Sequence, residues 1–130
     1  MIDSVYNSGT VTGNGKKTGG IVGQVSCLNT DNSIKGTLKN SYNIGNVTDV
    51  GTKIGGITGV NCGTVENNYT LDTTSIKGVG FIDASTAIKT EFLINKEEEM
   101  KNQNFVTLLG TTNWKLVSDK NNGYPVLIWE

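Results

Sequence analysis

The residues able to do chemistry are few and widely separated. The 130-residue chain has no histidine, and its eleven basic residues are all lysines. Without histidine there is no Ser-His-Asp or Cys-His nucleophile system and no His-Glu-x-x-His zinc site. The remaining candidates for catalysis are Asp49 and Asp72, with Lys53 and Lys77 as neighbours. Polysaccharide hydrolysis needs two carboxylates at a fixed separation. A lyase would use a base, commonly arginine, beside calcium-binding acids, and this chain has no arginine. Aspartate is also a turn residue that bonds its own backbone, and that is the role expected of Asp49 and Asp72. Gly13-Asn14-Gly15-Lys16-Lys17-Thr18 looks superficially like a phosphate-binding loop. It lacks the first glycine at the required spacing and has lysine where Ser or Thr must follow the first lysine, so a turn is expected here too.

Other reactive types are as sparse. Cys27 and Cys62 cannot complete a tetrahedral zinc site by themselves. Their separation is one residue short of a repeat described below, and a one-residue slip reverses side-chain direction in a strand. Two free thiols are therefore expected. Glu97, Glu98 and Glu99 read as a solvated first helical turn, where the helix dipole favours negative charge. Trp114, Tyr124 and Trp129 could form a carbohydrate platform, but aromatics clustered at a terminus more often build a small core. The sequence thus predicts no enzyme, no catalytic, cofactor-binding or metal-ligating residue, and no cofactor.

The elements that would position these side chains are legible from repetition. Residues 6–23 superpose on 42–59 at a constant offset of 36, with 11 identities in 18 positions. Among them are Tyr6/Tyr42, Asn7/Asn43, Val11/Val47 and the pair Gly19-Gly20-Ile21 / Gly55-Gly56-Ile57. A third copy is more worn: Gly36-Thr37-Leu38-Lys39-Asn40-Ser41-Tyr42 returns as Gly63-Thr64-Val65-Glu66-Asn67-Asn68-Tyr69. Copies begin near residues 2, 38 and 65. No segment before residue 85 has apolar residues at helical spacing. Short β-rich runs occur instead at 37–42, 46–48, 54–58 and 64–70, each bounded by Gly, Asn or Asp. Repeats of this length point to stacked architectures.

The predicted fold is therefore all-β: a parallel β-solenoid of two to three coils over residues 1–85. Leu38 over Val65, Ile21 over Ile57 and Val11 over Val47 would form inward ladders, with Asn40 over Asn67 and Tyr42 over Tyr69 as polar and aromatic ones. The longer first period implies a loop at 24–33. The paired glycines are expected at corners, where positive φ and close backbone approach favour glycine.

Residues 86–130 change character and are predicted to form a C-terminal cap over the open end of the stack. Asn95-Lys96-Glu97-Glu98 resembles a capping box. Met100, Phe105, Leu108 and Leu109 supply an apolar face, and Gly110 a stop, so one helix is expected over about 96–109. Short strands should follow at Trp114–Val117 and Tyr124–Trp129, with Pro125 favouring an edge.

Tyr42-Asn43-Ile44-Gly45-Asn46-Val47-Thr48 followed by Gly55-Gly56-Ile57-Thr58-Gly59 resembles the GLUG-motif repeat of large bacterial surface and secreted proteins. Gly19–Gly23 matches its Gly-Gly-aliphatic-Val-Gly core best, and Gly55–Gly59 departs at Thr58. Residues 98–130, with Asn-Gly-Tyr-Pro-Val-Leu-x-Trp, resemble the segment that commonly ends such arrays. The resemblance implies a β-solenoid at a bacterial cell surface or outside the cell, with the export signal outside this chain.

Function expectations follow. The leading one is a non-catalytic structural or adhesive repeat module of a larger surface protein, with an unknown protein or glycan as ligand. The rival is a polysaccharide-binding or polysaccharide-degrading β-helix, or an inactive fragment of a larger surface enzyme. A net charge of −1 and a pI near 5.4 argue against nucleic acid, and the short apolar runs against membrane insertion. An uncapped N-terminal coil would allow end-to-end self-association.

Overall fold

Segments rich in Val, Ile, Thr and Tyr, punctuated by Gly and Asn, become short strands that pair with their own repeats. The computed structural model describes residues 1–26, 35–72 and 76–130. The first level contains β1 (Ile2–Asp3), β2 (Tyr6–Asn7), β3 (Val11–Thr12), β4 (Thr18–Gly19) and β5 (Val22–Val25). The second contains β6 (Thr37–Asn43), β7 (Val47–Thr48), β8 (Ile54–Gly55) and β9 (Thr58–Asn61). A third is made of β10 (Thr64–Leu71) and β11 (Val79–Ile82), and β12 (Lys89–Asn95) follows. Every pairing among these strands is parallel. One sheet runs β1-β6-β10-β12, with β2 also on β6, and a second runs β11-β9-β5. Two smaller pairs are β3-β7 and β4-β8. The chain is thus mostly sheet, with few helices.

The register joins like to like. Tyr6 pairs with Tyr42 and Tyr42 with Tyr69; Asn7 pairs with Asn43, Leu38 with Val65, and Val11 with Val47. Ile21 donates its N–H to the Ile57 carbonyl at 3.0 Å. The extra length of the first repeat falls between β5 and β6, where Gly36 N donates to Ser26 O at 3.4 Å and closes the insertion at its base. The loop expected at 24–33 lies, from residue 27 onward, outside the described residues.

Two expectations need correction here. The paired glycines do not adopt positive φ. Among the described residues, positive φ occurs at Gly110 and Gly123, and at Ser4, Asn40, Asn67, Asn121 and Asn122. Close approach alone explains the pairs: a Cβ on Gly19 would lie 2.6 Å from Thr58 Cα, and one on Gly20 would meet the Gly56 carbonyl oxygen and, at 2.5 Å, the Asn43 side chain. The bend in each long strand is made by the column Ser4, Asn40 and Asn67, with φ of 56°, 51° and 52°. Asparagine tolerates this left-handed region better than most residues. The side chains reinforce it, since Asn67 Nδ2 donates to Asn40 Oδ1 at 2.8 Å and Asn40 Nδ2 to Asp3 Oδ1 at 2.9 Å.

The tail contains two short helices rather than one. α1 spans Glu97–Met100 and α2 Gln103–Leu109. The break lies at Asn102, whose Oδ1 accepts from Phe105 N at 3.0 Å while its Nδ2 donates to Glu98 O at 2.9 Å. A side chain that bonds the backbone so well is better spent as a cap than inside a helix. The restart rotates the apolar face: Met100, Phe105, Val106 and Leu109 are buried and Leu108 is exposed. Glu99 closes the first turn by accepting from Lys96 N at 2.7 Å, and Gly110 ends α2 with its N–H on Val106 O at 2.9 Å. β13 (Trp114–Lys115) and β14 (Val126–Leu127) form an antiparallel pair around a 3₁₀ turn at Asn121–Gly123.

Two apolar clusters result. Val25, Leu38, Ile57, Val65 and Val79 fill the space between the two main sheets. Tyr42, Tyr69, Leu71, Met100, Phe105, Val106, Leu109, Trp114 and Tyr124 form the other, with Tyr6 packed against it. The tail therefore lies along the tyrosine side of the stack. Its hydrogen bonds reach the first level through Asn113 to Ser4 Oγ at 2.9 Å and through Glu130, which accepts from Tyr6 Oη at 2.9 Å. They reach the third through Leu108 O, which accepts from Asn67 at 2.7 Å. Sheet pairing continues past residue 85, where the sequence reading ended the repeats, because β12 adds to β10.

Candidate functional site

The residues singled out for chemistry are placed in structural roles. Asp49 follows β7 in a turn and accepts from the Thr18 hydroxyl, from Gly51 N at 2.7 Å and from Gly15 N at 3.5 Å. The Thr18 hydroxyl first, and the Gly51 N–H next, hold its carboxyl below the usual carboxylate range. A base or nucleophile would need those lone pairs for substrate; here the turn uses them. Asp72 is exposed just past β10. Among the described residues no three His, Cys, Asp or Glu side chains come together in a way that could hold a metal.

The lysines flank turns. The Gly13–Thr18 loop and its counterpart 49–53 stack, so that Lys16, Lys17 and Lys53 border one shallow corner with Gly15, Gly51 and Thr52. Within it, Lys17 Nζ donates to Gln24 Oε1 at 2.5 Å, and Lys53 Nζ lies 4.7 Å from the centre of the Phe81 ring. The Asp49 carboxylate already occupies the Gly15 and Gly51 amides on that corner, so those two donors serve the turn. Lys77 borders a different surface, described below.

Cys62 is buried and disulfide-bonded, and no described cysteine is free. The expectation of a free thiol at Cys62 is thereby overturned; Cys27, the chain's other cysteine, lies outside the described residues. The slip rule holds inside a strand, whereas β9 ends at Asn61, one residue before Cys62. Side-chain direction is no longer fixed by alternation there.

Of the terminal aromatics, Trp114 and Tyr124 are core residues and Trp129 is 68% exposed. Trp114 packs at 5.3 Å from the Tyr42 ring, and Tyr6 stacks on Tyr42 at 5.3 Å. Tyr42 Oη donates to Pro125 O and accepts from Asn121 Nδ2 at 2.8 Å. Burial pushes the Tyr42 phenol far above its ordinary range, so it stays protonated and structural. Glu97 pairs with Lys101 and Glu99 caps α1, leaving the acidic run as a helix start.

Sequence reasoning missed the most distinctive surface. Phe81, Ile82, Ile88, Leu93 and Ile94 are all exposed, and all lie on β11 and β12 or between them. Beside them Lys77, Val79, Phe92 and Ile94 line a concavity of about 330 Å³. The signal was present in Gly80-Phe81-Ile82 and Phe92-Leu93-Ile94, two apolar runs close together in a polar chain. Reading residue 85 as the end of the repeats hid their shared position at one end of the stack. Such a surface offers apolar contact, and its charged pair, Lys89 with Glu91 at 2.8 Å, is an ion pair on β12 itself.

No helix among the described residues is long and apolar enough to cross a membrane. Comparison of the chain with known protein families, with curated proteins and with solved structures finds no match in any of the three.

Proposed function

We propose that this chain is a non-catalytic parallel β-solenoid, serving as a structural or adhesive module of a bacterial surface or secreted protein of the GLUG-repeat kind. The observation carrying this reading is the register: equivalent residues of successive repeats pair with one another, Tyr6 on Tyr42 on Tyr69. Stacking of this sort converts a sequence repeat into a stiff axis with side chains recurring at about 4.8 Å. A protein or glycan partner would then be held by a row of weak contacts along the stack. The engagement of Asp49 in its own turn supports the non-catalytic part. The disulfide at Cys62 supports an oxidising, extracellular setting.

Two measurements test the reading. Prefixing the chain with a second copy of residues 2–37 should add one level, raise the melting temperature and lengthen the particle by about 4.8 Å in small-angle scattering. An added segment that stays unfolded would refute the solenoid. Incubation with a panel of neutral and acidic polysaccharides should yield no new reducing ends or unsaturated products. Turnover that disappears in Asp49→Asn or Asp72→Asn would instead establish an enzyme.

A further inference from the structure

We infer that the corner formed by the stacked loops 13–18 and 49–53 is a binding site for a linear anionic glycan, a polysaccharide carrying carboxylates, with Lys16, Lys17 and Lys53 as the charge contacts. The inference deepens the adhesive-module reading and rests on its stack. Thr18 pairs with Ile54, and Thr18 N donates to Lys53 O at 3.0 Å. Lys17 and Lys53 therefore occupy equivalent positions of successive levels, about 4.8 Å apart along the axis. Like charges placed opposite one another in a sheet are unfavourable. Elsewhere the stack avoids them: the column Asp3, Lys39 and Glu66 alternates in sign, with Lys39 3.3 Å from Asp3 and Lys89 2.5 Å from Glu66. At the corner no acid of the described residues pairs with Lys16, Lys17 or Lys53. The acid within those loops, Asp49, turns its oxygens to Thr18, Gly15 and Gly51. Positive charge is thus repeated along the axis without a paired carboxylate.

Two of the three lysines are held in place. Lys17 Nζ donates to Gln24 Oε1 at 2.5 Å, and Lys53 Nζ lies 4.7 Å from the centre of the Phe81 ring. Gln24, Val60 and Phe81 are register partners in the second sheet, so both ammonium groups reach one column of its side chains. Neither contact neutralises the charge, since an amide oxygen and a ring face attract a cation and leave it positive. Fixing the lysines in advance lowers the entropic cost of ordering them on binding. The corner has a concavity of about 320 Å³ bordered by these lysines with Gly15, Gly51 and Thr52, and a Cβ on Gly15 would meet nothing within 4 Å. Phe81, 45% exposed, sets an apolar ring beside the cations, which suits the C–H face of a sugar. The spacing of the levels is close to the length of one pyranose unit, so successive uronate carboxylates of an extended chain can meet successive levels. A further level in the same register would stand beside these lysines along the axis, not over them.

The test measures binding of the whole 130-residue chain to fluorescently labelled polygalacturonate at low salt. The comparisons are the fully methyl-esterified polymer and a thymidine oligonucleotide, whose phosphates are spaced more widely in an extended strand. Wild type should bind polygalacturonate, release it as salt screens the contacts, and bind both comparisons more weakly. Lys16→Gln/Lys17→Gln/Lys53→Gln should weaken binding about tenfold, as expected for three solvent-exposed ion contacts. Lys96→Gln/Lys115→Gln/Lys120→Gln removes the same charge from the tail and should change binding less than about twofold. Equal losses in the two variants, or equal binding of the ester, would overturn the site. So would a wild type that ignores polygalacturonate while keeping its β circular dichroism and cooperative melt, and that outcome leaves the solenoid module standing. An oligonucleotide bound as tightly as the glycan would overturn the assignment in favour of nucleic acid. Should the corner variant lose its melt, Lys16→Gln/Lys17→Gln, which leaves Lys53 on Phe81, replaces it with an expected loss of about fivefold. Loss of cooperative β structure in the wild type would overturn the stack and the corner together.

Discussion

At the scale of single residues, the bend in the long strands depends on asparagine doing two things together. Asn67 holds positive φ and also donates to Asn40 Oδ1 and Leu108 O. Asn67→Gly keeps the backbone and loses the bonds, at about 1–2 kcal/mol. Asn67→Ala loses the bonds and adds left-handed strain, costing about 1 kcal/mol more than the glycine variant. Urea melts of the two variants compare them directly, and equal losses would mean that strain contributes nothing. Asp49 supplies a pH dependence with a definite sign. Its carboxyl is held low in the folded chain by Thr18 and Gly51, so its stabilising contribution is present above the unfolded value of about 4. That contribution fades as pH falls through the lower folded value. Asp49→Asn should melt earlier than wild type at pH 7 and converge on it in strong acid; a constant gap across the titration would rule this out.

At the scale of elements, close backbone approach sets the tolerances. A Cβ on Gly20 runs into the Gly56 carbonyl oxygen, and one on Gly56 lies 3.0 Å from Thr70 Cβ and closer still to its hydroxyl. Carbonyl oxygens within a ladder cannot move aside without breaking hydrogen bonds. Gly20→Val should therefore cost about 3 kcal/mol or more, the upper range of overpacking. Gly56→Val, which meets a side chain, should cost less, and chemical denaturation would rank them. The strands were readable because a repeat reports its own register: Leu38 on Val65 and Val11 on Val47 need only the offset between copies. The glycines were found for half of the right reason, as periodicity marks where they recur but not which torsion they adopt. Asn102 hid the helix break, since the surrounding apolar spacing is nearly continuous and only the capping bonds distinguish two helices from one. The disulfide at Cys62 was misread because the alternation rule was carried beyond a strand end. The apolar end at β11 and β12 escaped because β12 has no close sequence copy to announce it.

For the whole molecule, the tail is the element that joins the levels from the side. Trp114 packs on Tyr6 and Tyr42, Phe105 on Tyr42 and Tyr69, and hydrogen bonds run from the tail to Ser4, Tyr6, Tyr42 and Asn67. Three levels of the stack therefore share one buried cluster with residues near the C-terminus. Short strands of two to four residues in the first level bring little stability of their own, and this shared cluster should make unfolding of stack and tail a single event. Trp114→Ala removes the largest fully buried side chain and should cost about 3–5 kcal/mol. Because Trp129, the tryptophan left in this variant, belongs to the tail while the paired strands belong to the stack, the loss should lower the midpoints of tryptophan fluorescence and β circular dichroism by the same amount in one transition. A variant in which the β signal persists after the tail has melted would show that the stack stands alone. The lateral strap would then be a decoration on the stack rather than the element that holds it together.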